Sequence, residues 1–190
     1  MFYEPKNGYP FEIDPLNALV FPRPIGWISS LSQKGIPNLA PYSFFNAVAY
    51  TPPQVMFAAS FEPNTKAYKD SVENILKTKE FVVNFVTNTM SQKMNLSSID
   101  APKDIDEFHF SKIKKRKSKK VKPFSVSNSP VNLECRLLQK VDLKSSLKNK
   151  FHNKIIIGEV VGIYINNQFI KDGRIDSTAM QYVGRLGYAE

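Results

Sequence analysis

Runs of apolar residues in this chain predict short β-strands more often than helices. Residues 25–31 predict one strand, and residues 33–35 the turn that ends it. A second strand is expected over residues 36–50, interrupted by Pro37 and Pro41. Proline has no backbone N–H and is confined to strand edges, starts and bulges, so backbone groups beside these two prolines need a partner outside the sheet. A polar, flat ligand is one candidate for that partner.

The remaining strands follow from the same kind of pattern. Short runs rich in apolar and β-branched residues predict strands over residues 54–61, 80–87, 131–143 and 154–166. The last of these contains Gly158 and Gly162, which indicates a curved strand approached closely by a neighbour. Asp172-Gly173 is a turn signal.

Helical periodicity occurs in two places. Helical spacing is found at Ala67, Tyr68, Val72, Ile75 and Leu76, and Asn64 or Thr65 could be the N-cap. A second short helix is predicted within residues 88–98, and residues 97–130 are expected to be mostly loop. Many strands, few helices and no strand–helix alternation predict a mainly β fold, a small β-barrel with a few short helices. We see no repeat or boundary and expect residues 1–190 to form a single domain.

The net charge of +9 comes from one segment. Residues 112–122, KIKKRKSKKVK, hold eight Lys or Arg and no acid, and the other 18 basic residues nearly balance the 17 acidic ones. The segment has no aromatic residue, which disfavours binding to nucleic acid. It is either a solvated basic loop or a surface that attracts an anionic partner, such as a phosphate-bearing dinucleotide or RNA.

Composition narrows the class further. No apolar run approaches the roughly 20 residues that span a bilayer, and the first residues are polar, unlike a signal peptide. Cys135 is the only cysteine, so an internal disulfide and a multi-cysteine zinc site are excluded. We therefore expect a cytoplasmic protein without a metal centre.

Two groups of residues could bind a ligand. A helix that starts near Asn64 would present free N–H groups to a phosphate, aided by Lys66, Lys69 and the hydroxyls of Thr65 and Ser71. These residues could equally be ordinary capping and surface residues. Four aromatic residues could stack on a planar ring or simply fill a core: Trp27, Tyr42, Phe44 and Phe45. Ser43 and Asn46 beside them would find few partners in an apolar core.

Hydrolytic chemistry has no convincing set of residues. His109 and His152 lack a nearby nucleophile motif and metal-binding spacing. Cys135 lies in an apolar strand and is expected to be inert. His152 precedes a strand in a polar loop, from which it could reach the mouth of a barrel or remain exposed.

Several segments occur in an order that resembles the flavin reductase-like family of FMN-binding split barrels, which includes flavoredoxin. The matching stretches include RPIGWISS, NLAPYSFFN, TPPQVMF, KDSVENI, EFVVN, DEFHF, SPVNLECRL, HNKIIIGEV and RLGY. They cover nearly the whole chain. Each stretch alone is a weak signal, whereas the ordered set is specific.

The resemblance implies a split β-barrel of Greek-key type that forms a homodimer and holds FMN non-covalently near the subunit interface. By position, Trp27, Ser29 and Ser30 would line the flavin from the first strand. The ring edge and ribityl chain would meet Ala40, Tyr42, Ser43, Phe44 and Asn46. The phosphate would contact Lys69, Ser71 and Ser60, with Ser71 standing where the family usually has threonine. His152 and Arg185 match positions near the flavin or its electron donor.

The resemblance also implies an NAD(P)H-dependent flavin reductase. Reduced nicotinamide would donate hydride to flavin N5, and the electrons would pass to free flavin, a metal complex or a protein. No general acid or base is obligatory for such a reaction. Two alternatives stay open: an FMN electron carrier that a partner protein reduces, and a basic module that binds nucleic acid through residues 112–122.

Overall fold

The chain folds around a seven-stranded antiparallel sheet in a computed structural model that describes residues 1–61, 68–99, 101–145 and 152–188, with only the backbone of Phe61 and His152. The strands are β1 (Arg23–Pro24), β2 (Gly26–Leu31), β3 (Pro37–Tyr42), β4 (Phe45–Tyr50), β5 (Pro53–Phe61), β6 (Glu80–Asn84), β7 (Lys115–Arg116), β8 (Ser125–Val126), β9 (Val131–Leu143), β10 (His152–Ile165), β11 (Ile170–Lys171), β12 (Arg174–Ile175) and β13 (Gly184–Arg185). The helices are α1 (Leu16–Leu19), α2 (Asp70–Thr78), α3 (Ser91–Leu96) and α4 (Glu107–Phe110), with single 3-10 turns at Pro5–Asn7, Asn88–Met90 and Asn167–Phe169. No helix in the described ranges is long and apolar enough to cross a membrane. The mainly β prediction is confirmed.

The second predicted strand is in fact two strands at opposite ends of the sheet. The order of strands is β3-β2-β6-β9-β10-β5-β4, so β3 and β4 form the two edges. The chain crosses between them at Ser43 and Phe44, not at the prolines. Pro37 and Pro41 are tolerated because β3 is an edge strand.

The backbone beside these prolines has a partner within the protein. On the open side of β3, the Leu39 N–H donates a hydrogen bond to Oε2 of Glu107 at 3.0 Å. The predicted partner outside the sheet is present at Leu39, but it is not a ligand. A carboxylate from α4 satisfies the group instead.

Hydrophobic side chains pack on both faces of β2. Ile28 belongs to one core cluster with Phe57 and Phe81, whereas its neighbour Trp27 belongs to a second cluster with Phe108. Successive residues of a strand point to opposite faces, so a strand covered on both sides shows a continuous apolar run. The segment between β6 and β9 supplies the cover for the second face.

Gly158 lies at an irregularity of β10, close to a side chain of β6. The pairing of β10 with β9 shifts register between Ile157 and Gly158, and again between Val160 and Gly162. A Cβ atom at Gly158 would lie 2.3 Å from Cζ of Phe81, far inside contact distance. The predicted close approach to this strand is confirmed, and its curvature stays a prediction.

The Gly158→Ala variant is expected to lose about 1–3 kcal/mol of unfolding free energy, because the buried Phe81 ring has to move. Urea unfolding measures the loss. Gly162→Ala is the matched control, since its added Cβ would meet the flexible Lys120 side chain at 3.3 Å. Equal losses in the two variants would contradict steric crowding at Gly158 as the cause.

Helix α2 starts later than the sequence predicted. It begins at Asp70 with Lys69 as N-cap, and neither Asn64 nor Thr65 caps it. Asp70 and Glu73 lie in the first turn, where negative charge is favourable. Of the residues in the predicted phosphate site, Asn64, Thr65 and Lys66 lie outside the described residues.

Most of the other predicted strands, helices and turns are confirmed. Strand β9 has the predicted bounds, and β5 and β10 differ from the predicted strands by one or two residues. The helix within residues 88–98 is present as a 3-10 turn followed by α3. Asp172 and Gly173 both have positive φ angles, 49° and 72°, and connect β11 to β12. Strand β6 is shorter than predicted and ends at Asn84.

Candidate functional site

A cavity of about 430 Å³ opens beside the crossing from β3 to β4. Strand β5, the start of α2, helix α3 and the β1–β13 pair complete its wall. Its lining comprises Asn17, Arg23, Ile25, Pro41, Tyr42, Ser43, Phe44, Ala58, Ala59, Ser60, Lys69, Met94, Asn95, Ser98, Arg185 and Tyr188. The volume suits a small organic ligand.

The charge of this cavity is positive. Arg23, Lys69 and Arg185 belong to its lining, and the described lining contains no Asp or Glu. Arg23 and Arg185 are direct cross-strand partners in the β1–β13 pair. Like charges placed opposite each other across a strand pair are destabilising. An anion in the cavity would relieve this repulsion.

Arg23 holds the wall of the cavity together. Its guanidinium donates hydrogen bonds to three backbone carbonyls, those of Asn17, Val20 and Leu186. Its Nε lies 3.4 Å from Oγ of Ser43, and its Cζ lies 5.8 Å from the centre of the Phe44 ring. The side chain is only 6% exposed. One buried cation thus connects the segment around α1, the β3–β4 crossing and the C-terminal segment.

Of the three aromatic residues in the lining, Tyr42 and Phe44 contribute in different ways. The Tyr42 ring packs against Phe57 with 4.7 Å between ring centres, so it is fixed in the core. Burial raises the pKa of Tyr42 to about 12, opposed by a hydrogen bond with Ser71, and the phenol is therefore neutral at neutral pH. Phe44 is 42% exposed and presents ring surface for stacking.

A buried polar network lies beneath Tyr42. Oδ1 of Asn38 accepts hydrogen bonds from Ser71 Oγ at 2.6 Å and from Ser30 Oγ at 3.2 Å. Nδ2 of Asn38 donates to Oε1 of Glu107 at 3.0 Å. Burial is the main cause that raises the pKa of Glu107. The network commits both serine hydroxyls to partners in the interior.

The structure brings six of the predicted site residues to the cavity: Tyr42, Ser43, Phe44, Ser60, Lys69 and Arg185. Trp27, Ser29, Ser30 and Ser71 are buried instead. Nε1 of Trp27 donates to Ser97 Oγ at 2.8 Å, and Ser29 Oγ donates to the Phe124 carbonyl at 2.6 Å. These four residues lie in the interior and do not line the cavity.

Three further predicted residues lie elsewhere. Ala40 is half-buried in β3, and Asn46 is exposed in β4, where its Oδ1 accepts the Ala47 N–H. His152 pairs with Phe61 at the start of β10, and its side chain lies outside the described residues. Cys135 is fully buried in the core, and burial raises the pKa of its thiol, as expected for an inert cysteine.

Sequence reasoning missed several lining residues. Arg23 stands in the matching stretch RPIGWISS, but nothing local distinguishes a buried arginine from an exposed one. Met94, Asn95 and Ser98 carried only a helix signal. Their proximity to the cavity depends on how α3 packs, which requires tertiary structure.

Comparison with known proteins places these features in a class. The fold is shared with a 2-nitrobenzoate 2-nitroreductase of Pseudomonas fluorescens, at 28% identity and a TM-score of 0.80 over 92% of this chain and 82% of that one. It is also shared with component B of the nitrilotriacetate monooxygenase of Bacillus cereus, at 25% identity and a TM-score of 0.88 over 100% of this chain and 94% of that one. An uncharacterised protein of Aquifex aeolicus is 35% identical over 171 residues, which are 90% of this chain and 83% of that protein.

The split barrel and its similarity to these proteins define a flavin-related oxidoreductase. The family model described as flavin reductase like domain matches residues 18–182. The chain belongs to the flavin reductase-like family, and the predicted fold class is confirmed.

Proposed function

We propose that this protein binds FMN and is a flavin reductase that takes electrons from NADH or NADPH. The observation that supports this proposal is the cavity, which has a volume of about 430 Å³. Its described lining includes Tyr42 and Phe44, contains three cationic side chains and has no Asp or Glu. Such a site suits a planar ring joined to a phosphate. A neutral or cationic ligand would not need this charge.

Different parts of the lining suit different parts of FMN. Lys69 is the N-cap residue of α2, and its charge together with the positive end of the helix dipole favours a phosphate there. Arg23 and Arg185 add positive charge on the side of the β1–β13 pair. The flavin ring suits the aromatic part of the wall, and the hydroxyls of Ser43 and Ser60 are available to polar groups.

The remaining predicted contacts enter the proposal in two ways. We assign Trp27, Ser29, Ser30 and Ser71 to support of the wall from beneath, because all four are buried and hydrogen-bonded within the protein. Contacts of Ala40, Asn46 and His152 with the flavin stay predictions.

The proposed reaction demands little acid–base chemistry from the protein. When bound, FMN supplies the acceptor for hydride from the nicotinamide and the means to pass electrons on. The protein has to orient the ring and stabilise the negative charge that reduction creates. The cavity's three cations suit the second task, and neutral Tyr42 adds no charge at neutral pH.

A homodimer forms part of the proposal. Val48, Tyr50 and Ile163 are 49%, 97% and 59% exposed, which places large apolar side chains of β4 and β10 at the surface. Exposed apolar side chains of this size often mark a subunit interface. The proposal also takes the chain to be a single domain and the protein to be cytoplasmic. Light scattering after size-exclusion chromatography would test the dimer.

An anaerobic titration tests the proposed activity. The purified protein with FMN added should bleach in the visible range when NADH or NADPH is supplied, with one nicotinamide consumed per flavin. Persistent colour with both donors would rule out the reductase. Bleaching by a reduced electron-transfer protein alone would indicate the carrier function instead.

Lys69→Ala is expected to raise the dissociation constant for FMN about tenfold or more, because a charge-assisted contact with phosphate is lost. Riboflavin, which lacks the phosphate, should bind the variant and the wild type equally. Lys34→Ala, in an exposed turn, is the control. An equal loss of riboflavin binding would show that Lys69 does not act on the phosphate. Flavin fluorescence quenching measures all these affinities.

A further inference from the structure

Residues 112–122, the basic segment, are fixed on the outside of the sheet. The N–H groups of Lys119 and Lys120 donate to the Glu134 carboxylate, at 2.9 Å and 2.5 Å for their shortest contacts. The Lys122 N–H donates to Oε2 of Glu80 at 2.9 Å. Ile113 and Val121 within the segment are buried. The basic segment thus makes specific contacts with the sheet and is not a solvated loop without contacts.

The anchoring leaves most of the lysine side chains exposed and without an ion pair to any residue that the structure describes. Glu80 and Glu134 bind the backbone of the segment, and neither forms a salt bridge with a lysine side chain that the structure describes. Lys115 pairs with Asp106, and Arg116 stacks on Tyr164 with 3.4 Å from its Cζ to the ring centre. The other six cations form what we call the lysine surface: Lys112, Lys114, Lys117, Lys119, Lys120 and Lys122.

The lysine surface begins close to the cavity. The Lys112 carbonyl accepts a hydrogen bond from Nζ of Lys93, at 3.3 Å. Lys93 lies on α3, and the next two residues of that helix, Met94 and Asn95, line the cavity. At 1.5 Å per residue, α3 is only about 9 Å long. A partner seated on the lysine surface would therefore lie beside the cavity wall.

Apolar side chains accompany these cations. Phe110 is 50% exposed and lies two residues before Lys112, and Leu96 at the end of α3 is also 50% exposed. Apolar contacts within a charged rim are typical of protein–protein interfaces. The phosphate backbone of a nucleic acid gives Leu96 nothing to bind, and the basic segment has no aromatic residue of its own for base stacking. These features favour a protein partner.

We propose that the lysine surface, with Leu96 and Phe110, binds the acidic face of a partner protein next to the cavity. The partner's role, to exchange electrons or flavin with the cavity, rests on the proposed function. The binding itself does not, because it needs only the charges and apolar groups of the surface. Opposite charge on the two faces would speed association and make binding sensitive to salt.

The test measures binding of rubredoxin, a small acidic electron-transfer protein, without added flavin or nicotinamide. Fluorescence anisotropy at low and physiological salt should show affinity that falls as salt rises. Lys112→Glu, Lys114→Glu and Lys117→Glu together should weaken binding at low salt about tenfold or more. Lys34→Glu, Lys140→Glu and Lys144→Glu change the net charge equally at exposed sites elsewhere, and should change affinity less than about twofold.

Three outcomes would overturn the proposal. One is no binding of rubredoxin even at low salt, and another is an equal loss in the two triple variants, which would show that only net charge matters. The third is that a DNA duplex binds at physiological salt through the same lysines while rubredoxin does not, which would indicate a nucleic-acid surface. Because no flavin is added, failure of the proposed reductase activity would leave this result unchanged.

Discussion

Arg23→Met is expected to lower the unfolding free energy by about 3 kcal/mol and to weaken FMN binding about a hundredfold. The methionine fills much of the same space but donates no hydrogen bond, so the carbonyls of Asn17, Val20 and Leu186 lose a shared donor. Hydrogen bonds to a charged group contribute about 1.5–3 kcal/mol each, but these carbonyls belong to exposed residues and can bond water in the variant, so the expected loss is smaller than the sum of three. A hundredfold change in affinity is about 2.7 kcal/mol. Urea unfolding and flavin fluorescence quenching measure the two effects.

Arg23→Lys separates charge from geometry. Lysine keeps the positive charge but cannot reproduce the planar donor arrangement of the guanidinium. We expect it to recover part of the affinity for FMN and little of the stability. If Arg23→Met binds FMN as tightly as the wild type, Arg23 has no role in the cavity beyond holding its wall.

Glu107→Leu is expected to destabilise the protein by about 3 kcal/mol. The Glu107 carboxylate is the acceptor for the Leu39 N–H and for Nδ2 of Asn38, both buried. A buried donor left without a partner costs about 1–3 kcal/mol, and leucine leaves two. Urea unfolding at neutral pH measures the loss. A loss below about 0.5 kcal/mol would mean that water reaches these donors.

The pH dependence of Glu107 has a definite sign. Burial raises its pKa in the folded protein above the ordinary value of 4.5, so the folded state disfavours the charged form. The resulting penalty is present at neutral pH and disappears as pH falls through the folded pKa towards 4.5. The wild type should therefore gain stability relative to Glu107→Gln as pH falls over this range. A constant or opposite difference in urea unfolding would contradict the buried, charged carboxylate.

The positions of the strands could be predicted from the sequence, but the order of the strands in the sheet could not. Apolar runs located β2, β5 and β9 because a strand buried on one or both faces needs such residues. They could not show that β3 and β4 lie at opposite edges, since this depends on the pairing of β2 with β6, β6 with β9 and β5 with β10, which joins segments distant in sequence. The partner of the Leu39 N–H is likewise 68 residues away, on α4.

The site was predictable in part for a related reason. The family resemblance located residues such as Phe44 and Lys69 because they stand in matching stretches that line the cavity. It did not separate them from Ser29 and Ser30, because both faces of β2 are covered and alternation gives no information about exposure. The role of Arg23 could not be predicted, because its partners are backbone carbonyls, which have no sequence signature.

The crossing from β3 to β4 couples ligand binding in the cavity to the stability of both edges of the sheet. Ser43 and Phe44 lie at the cavity and join its two edge strands. Edge strands open most easily in local fluctuations, and a ligand that binds only the closed form suppresses such opening by mass action. Amide hydrogen exchange in β3 and β4 should therefore slow together when the cavity is filled, although these two strands are not hydrogen-bonded to each other. Binding of a ligand in the cavity would thus stabilise both edge strands of the sheet at once.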